Sequence, residues 1–338
     1  MKMLPYPDTP IFICYHNKAF PLGIIQANSP EDIKKWVCSK SVNCVYNPNS
    51  PKNKFDFAIN DVWGVNEGIV MQQLFYLRKE LIELSNINLI EFFKIVIDNN
   101  CYIHGTYNEK YIPQKRAYNK EDYYHDFLII GYDDKFFISA GFIANGRFEK
   151  YYIPHRNFVD SLYNISRPRI DLNFFSYNND RVPSCNCKRM IDDMEKYIAT
   201  ANYFENPTPD KTSYGISSIM RLKDFFINEV EKKGDSCIDM RYSRVLYEHK
   251  WMLTQLIEVF LDDDINKAEY RALSTRNFDR AKLVHMLGLK MLISKNAELI
   301  WNISLLIDQI VEDEKKYIPQ LTSLLKTRYE DGIIVSPK

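Results

Sequence analysis

His125-Asp126-Phe127-Leu128-Ile129-Ile130-Gly131-Tyr132, then Asp133-Asp134-Lys135, then Phe136-Phe137-Ile138-Ser139-Ala140-Gly141-Phe142-Ile143 decide how the first half of this chain folds. Both apolar flanks are rich in aromatic and branched residues, so each predicts a strand, and the charged triplet between them predicts a hairpin turn. Stretches 101–107 and 170–177 have the same character. Helices are predicted in the same half. Ser29-Pro30-Glu31-Asp32 supplies a cap, a proline at the first helical position and acids in the first turn. Asn88 with Glu91 three residues on resembles a capping box ahead of Phe92 and Phe93. Apolar residues at 70, 71, 74, 77, 81 and 84 predict a helix over 67–85. Strands mixed with helices make this half α+β.

Toward the C-terminus the pattern changes near residue 180. Strand signals fade after Pro183, and apolar residues recur every three or four positions through 188–203, 214–232, 238–261, 277–294 and 296–328. That spacing predicts an all-α helical bundle. Asn206-Pro207-Thr208-Pro209-Asp210 and Gly234-Asp235 mark its first loops. The charged run Glu312-Asp313-Glu314-Lys315-Lys316 reads as a solvated helix face. The expected domains are 1–180 and 185–338, in keeping with a chain of 338 residues that exceeds what one average core requires.

Composition narrows the function. Lys and Arg number 44 and so do Asp and Glu, so no bulk positive field draws the chain to nucleic acid or to an anionic membrane. No apolar run approaches the roughly 18 residues of a membrane span, and the proline-rich start lacks the apolar centre of a signal peptide. The expectation is a cytoplasmic protein. Seven cysteines without paired spacing suit reduced thiols. Cys185 and Cys187 form a C-x-C with no second ligand pair, which reads as plain surface thiols. No metal or cofactor is expected, because glycine motifs for phosphate or dinucleotide are missing and no histidine stands at zinc-helix spacing.

One cysteine near the start and one histidine far downstream carry the chemistry. A free thiol is mostly protonated at neutral pH and needs a base or a cationic imidazole beside it to become a nucleophile. Cys14 follows the strand-like Ile11-Phe12-Ile13 and precedes a short helix over 15–20 that Pro21 would interrupt. A helix start supplies backbone N–H groups for an oxyanion. His125, at the head of its strand, can take the thiol proton and later return it. His16 is set aside as a surface or structural residue, because near neighbours on a helix do not face each other. His104 sits within a predicted strand and reads as structural.

The run from His125 to Asp134 resembles the histidine strand of papain-like cysteine enzymes, in which a histidine opens a strand ending in Gly-Tyr. More closely, Cys14-Tyr15-His16-Asn17, Trp36, Asn43, Tyr111-Ile112-Pro113 and Tyr118 resemble proteins of the butirosin biosynthesis protein H N-terminal type, over roughly residues 10 to 165. The closthioamide amide-forming enzyme is similar in kind. That resemblance implies a papain-like domain in which Cys14 is acylated from an acyl or peptidyl carrier protein, with His125 as general base and acid and an amine as acceptor. Papain-like enzymes place an orienting Asn or Asp sixteen positions after the histidine; here that position is Gly141. Ser139 and Asn145 are the nearby substitutes, and Asp126 or Glu109 could arrive from elsewhere, but a bare Cys14–His125 dyad is favoured over any of them. The glutamine those proteases carry before the cysteine is also missing, since 5–13 reads Pro, Tyr, Pro, Asp, Thr, Pro, Ile, Phe, Ile.

A thioester expels a thiolate, which needs less protonation than the amine a peptidase must expel. A Cys-His pair with reduced support therefore suits amide formation from a thioester, in peptide or antibiotic assembly. Aromatic residues such as Tyr123, Tyr124, Phe136, Phe137 and Phe142 are available to keep water from the acyl group. Two alternatives stand beside this: a cysteine peptidase or thioesterase of the same fold, and a binding module without catalysis.

Overall fold

The computed structural model describes residues 1–51, 53–57, 61–202, 211–233, 238–262 and 264–334. The loops expected at 206–210 and 234–235, and Cys237, lie outside them. In chain order the elements begin with β1 (Lys2–Met3), α1 (His16–Asn28), α2 (Ile33–Lys40), β2 (Cys44–Tyr46), β3 (Phe55–Phe57), β4 (Val70–Arg78), α3 (Lys79–Leu84) and α4 (Leu89–Asp98). Then follow β5 (Tyr102–Asn108), β6 (Tyr124–Tyr132), β7 (Phe136–Phe142), β8 (Phe148–Pro154), α5 (His155–Tyr163) and β9 (Arg169–Tyr177). The remainder is α6 (Cys187–Ala199), β10 (Ser213–Tyr214), α7 (Gly215–Lys233), α8 (Met240–Phe260), α9 (Lys267–Ser294) and α10 (Leu299–Glu330). The protein is mixed α+β with a helical C-terminal region. Among the described residues no helix is long and apolar enough to cross a membrane.

Two compact units result, one formed by Met1–Ile33 with Asp61–Pro183 and the other by Lys34–Asn60 with Ser184–Lys338. In the first, strands run in the order β4-β9-β5-β6-β7-β8, with β1 also on β6, and every pairing is antiparallel. The β6–β7 hairpin closes where the sequence places it, on Asp133, whose carboxylate accepts the N–H groups of Lys135 and Phe136 at 2.8 and 2.7 Å. Gly131 is required at the end of β6, because a Cβ there would meet the Lys2 carbonyl oxygen at 2.5 Å where β1 docks. The Asn88 cap also holds, accepting from Ile90 and Glu91 N–H at 3.1 and 3.4 Å.

The helix expected over 67–85 is corrected: 70–78 is β4 and only Lys79–Leu84 is helical. Its apolar residues fit either period, and β9 offers a ladder over the whole strand, from Val70↔Tyr177 to Arg78↔Arg169. Ladder pairing by a long partner outweighs a weak local preference. Helix α1 departs in the opposite sense, running through Pro21 to Asn28, while Ile11, Phe12 and Ile13 stay irregular. An interior proline costs roughly 3 kcal/mol, but burying each of Phe20, Leu22, Ile24 and Ile25, all fully covered, returns about 1.5–3 kcal/mol. Packing decides.

In the second unit, residues 34–60 join the helices instead of the first domain. Trp36, Phe55 and Phe57 are fully buried, Asn43 Nδ2 donates to Asp193 O at 3.1 Å, and His249 Nε2 lies 2.8 Å from Val42 O. Cys185 and Cys187, expected at the surface, are buried with their sulfurs 3.5 Å apart. The contact to Cys187 and burial together raise the Cys185 thiol far above its ordinary pKa, so it is a poor nucleophile. The run 312–316 is not simply solvated either, since Glu314 is fully buried and Asp313 binds Arg276 and Arg280.

Candidate active site

Cys14 is 4% exposed and stands just ahead of α1. Helix α1 is buried on nearly every side, which fixes the start of its first turn. Two residues later, the ring of His16 lies 4.6 Å from the ring of His125, centroid to centroid. Two residues of chain span at most about 7 Å, so the backbone of Cys14 lies within that distance of the backbone of His16. The helical ladder begins only at Lys18 and Ala19, whose N–H groups reach Tyr15 O. The N–H groups of the first turn thus precede the helix's own bonds, where an oxyanion is best met.

Glu109 holds His125. Its Oε1 lies 3.0 Å from His125 Nδ1, and Lys115 Nζ stands 3.8 Å from the same oxygen. The position follows from the β5–β6 register: Tyr107 pairs with His125, and Glu109 comes two residues further, on the same side of the ladder. Asn108, fully buried, pins the turn. Its Oδ1 accepts from Lys110 and Tyr123 N–H at 3.1 and 3.2 Å, and its Nδ2 donates to Asp122 Oδ1 and Asn164 O. Lys115 is itself held by Phe142 O and lies over the Tyr151 ring at 4.8 Å. A charged carboxylate on a rigid turn, with a buried ammonium behind it, is what keeps an imidazole in one orientation.

Neither expected third residue takes that place. Ser139 Oγ donates to Leu128 O at 3.0 Å inside the sheet, and Asn145 Oδ1 accepts from Arg147 N–H in the exposed turn after β7. Gly141 explains the vacancy in the usual position. Its φ of +154° is one that side-chain-bearing residues rarely adopt, and a Cβ there would sit in ordinary contact with His16 Nε2 at 3.4 Å.

His16 is no surface residue; it is 6% exposed. Its Nδ1 lies 3.0 Å from Asp126 Oδ1, and its Nε2 accepts the Phe142 N–H at 3.3 Å. Asp126 Oδ1 also sits 3.4 Å from His125 Nε2, so each nitrogen of His125 faces a carboxylate. Burial pushes the Asp126 carboxyl up, but the bond to His16 and the nearby histidine charges win and hold it well below the usual range. Burial lowers the pKa of His16, against the pull of Asp126. His104 adds a third imidazole beside this group and is held down to about 4 by burial.

One ligand atom from each of His16, His125 and Asp126 falls within 4.8 Å of the others, a spacing a metal ion could bridge. The hydrogen bonds argue against it. Phe142 N–H needs the lone pair of His16 Nε2, which places the proton of the neutral ring on Nδ1, the atom that would have to bind the ion. Aromatic walls complete the surroundings. Phe20 and Phe142 stack on His16, and Trp63 stacks on Phe175 at 3.7 Å beside His104. Of the aromatics named from sequence, Phe142 and Tyr123 reach the two histidines, whereas Phe137 belongs to the core with Phe93 and Phe158.

Acid destabilises this arrangement. His104 stays neutral in the folded chain down to about pH 4, while an unfolded histidine takes up its proton near 6.5. Its contribution is intact above about pH 6.5 and is lost as the pH falls toward 4, by about 1.4 kcal/mol per pH unit. Urea unfolding at about pH 7 and pH 5 should show the decline, and His104→Gln should flatten it; an equal slope in the variant would contradict the assignment.

Compared with known proteins, the chain matches no family model and no curated sequence.

Proposed function

We propose that this protein is a cysteine-dependent acyltransferase of papain-like build, which takes an acyl group from a carrier-protein thioester onto Cys14 and delivers it to an amine, forming an amide. The observation that carries this reading is the Glu109–His125 bond of 3.0 Å, set beside a ring two residues beyond a buried cysteine at a helix start. A buried helix behind the nucleophile and an antiparallel sheet presenting the histidine at a strand head support the papain-like part.

In the first half-reaction Cys14 Sγ, its proton passed to His125, attacks the acyl carbon. The new C–S bond forms as the carrier's C–S bond breaks, and the carrier thiolate takes the proton from His125. In the second, the amine nitrogen attacks the thioester, its proton goes to His125, and the returning Cys14 thiolate is reprotonated there. Between proton transfers the imidazole carries a proton on both nitrogens. Glu109 and Asp126 face those two nitrogens and stabilise that state.

Intact-protein mass spectrometry tests the proposal with a small-molecule acyl thioester and no amine. Wild type should gain one acyl mass and Cys14→Ala none. Adding a primary amine should discharge the acyl group as an amide. Release as free acid at the same rate with or without amine would instead mark a thioesterase or peptidase, and an unmodified wild type would leave only a binding role.

A further inference from the structure

The antiparallel sheet has two edges, and they are built differently. At one, β8 carries Glu149, Lys150 and Pro154, the charges and proline with which edge strands resist pairing. At the other, β4 runs Val70-Met71-Gln72-Gln73-Leu74-Phe75-Tyr76-Leu77-Arg78. It has no charge before Arg78 and no proline, and its ladder to β9 continues without a bulge over all 9 residues. Among the described residues nothing pairs with its outer side. Apolar side chains stand out on both faces: Met71, Leu74 and Tyr76 are 55, 49 and 54% exposed, and Leu81 and Leu84 of α3 continue the patch at 58 and 81%.

We propose that β4 is a dimer edge, through which two copies of this chain join antiparallel into one continuous sheet. The strand is complementary to itself. The chain approaches β4 from Glu67 and leaves it through the exposed Arg78, the Lys79 ammonium being held by Tyr163 O and Ile165 O, so antiparallel copies bring the acidic end of each toward the guanidinium end of the other. A two-fold axis normal to the sheet keeps each face on its own side. It can then pass through Gln73, setting Gln73 opposite its own copy, Met71 opposite Phe75 and Val70 opposite Tyr76. The aromatic contacts are already in place. Phe75 packs on Phe174 at 4.7 Å, and the Arg169 guanidinium lies over Tyr76 at 4.5 Å, which lowers the entropy cost of ordering those rings at an interface.

Light scattering and sedimentation of the full chain over a range of concentrations should show a dimer. Gln73→Cys, opposite itself across the axis, should cross-link two chains under mild oxidation, whereas wild type and Gln72→Cys should not. Leu74→Lys brings two ammonium groups close across the axis and should weaken the dimer at least about tenfold. All three substitutions fall at exposed positions, so unchanged thermal unfolding separates lost pairing from a lost fold. A chain that is monomeric at every concentration, a dimer that withstands Leu74→Lys, or one that fails to cross-link at Gln73→Cys overturns the proposal.

Discussion

Replacing Glu109 by glutamine should slow acylation of Cys14 by about 10²–10⁴-fold. Glutamine keeps the size of the side chain and can still accept from His125 Nδ1–H, but it removes the negative charge that favours the doubly protonated ring. It has a second consequence. Lys115, 5% exposed, stands 3.8 Å from the carboxylate, and although Phe142 O still holds its ammonium, a buried ammonium that loses its counter-charge costs up to about 3–5 kcal/mol of stability. The two effects separate in the double variant Glu109→Gln/Lys115→Met, where the uncompensated charge is gone. Stability should recover there and the rate should not. Single-turnover acylation, followed by intact mass over pH, makes the comparison. A rate in Glu109→Gln within about threefold of wild type would remove Glu109 from the proton-transfer machinery.

How much of this was legible in the sequence depends on how local the information is. The Asp133 turn, the Asn88 cap and the five C-terminal helices were readable because each rests on residues within one turn or one period of each other. The mis-assignment of 70–78 has the opposite origin: β4 is a strand by virtue of β9, about a hundred positions away. The grouping of 34–60 with the helices is equally non-local, fixed by bonds such as Asn43 to Asp193. At the candidate site, Cys14 and His125 could be named from residue chemistry and resemblance. Glu109 could be named only as one of several groups able to arrive from elsewhere, because it sits sixteen positions before the histidine, across the β5–β6 ladder, where a comparison with papain-like enzymes looks sixteen positions after it. Of the two readings of His16, surface or structural, the surface one fails for a related reason. Its spacing from Cys14 forbids a face-to-face pair on a helix, but says nothing of a sheet residue reaching it from outside, as Asp126 does.

In the helical unit, Lys250→Met should cost about 3–5 kcal/mol of stability, while removing its partners as well should restore most or all of it. Lys250 of α8 and Glu314 of α10 are both fully buried, with Nζ and Oε1 2.6 Å apart. Tyr197 of α6 donates its hydroxyl to the other carboxylate oxygen at 2.6 Å and accepts from Lys250 at 3.1 Å. Burial, with Glu314 beside it, raises the Tyr197 pKa well above its ordinary value, so the hydroxyl stays a donor. Removing the ammonium leaves a carboxylate with one neutral partner in an apolar interior, and that charge cannot be resolvated without opening the bundle. In Lys250→Met/Glu314→Leu/Tyr197→Phe no polar group of the triad remains, and apolar packing should match the parent or exceed it by about 1–4 kcal/mol. Tryptophan fluorescence is a suitable readout in denaturant, since Trp36, Trp251 and Trp301 lie in this unit and Trp63 in the other. A cost below about 1 kcal/mol for Lys250→Met would mean that water reaches the pair. The full cost in the single variant and its recovery in the triple would show that the triad ties three helices to one arrangement without adding net stability.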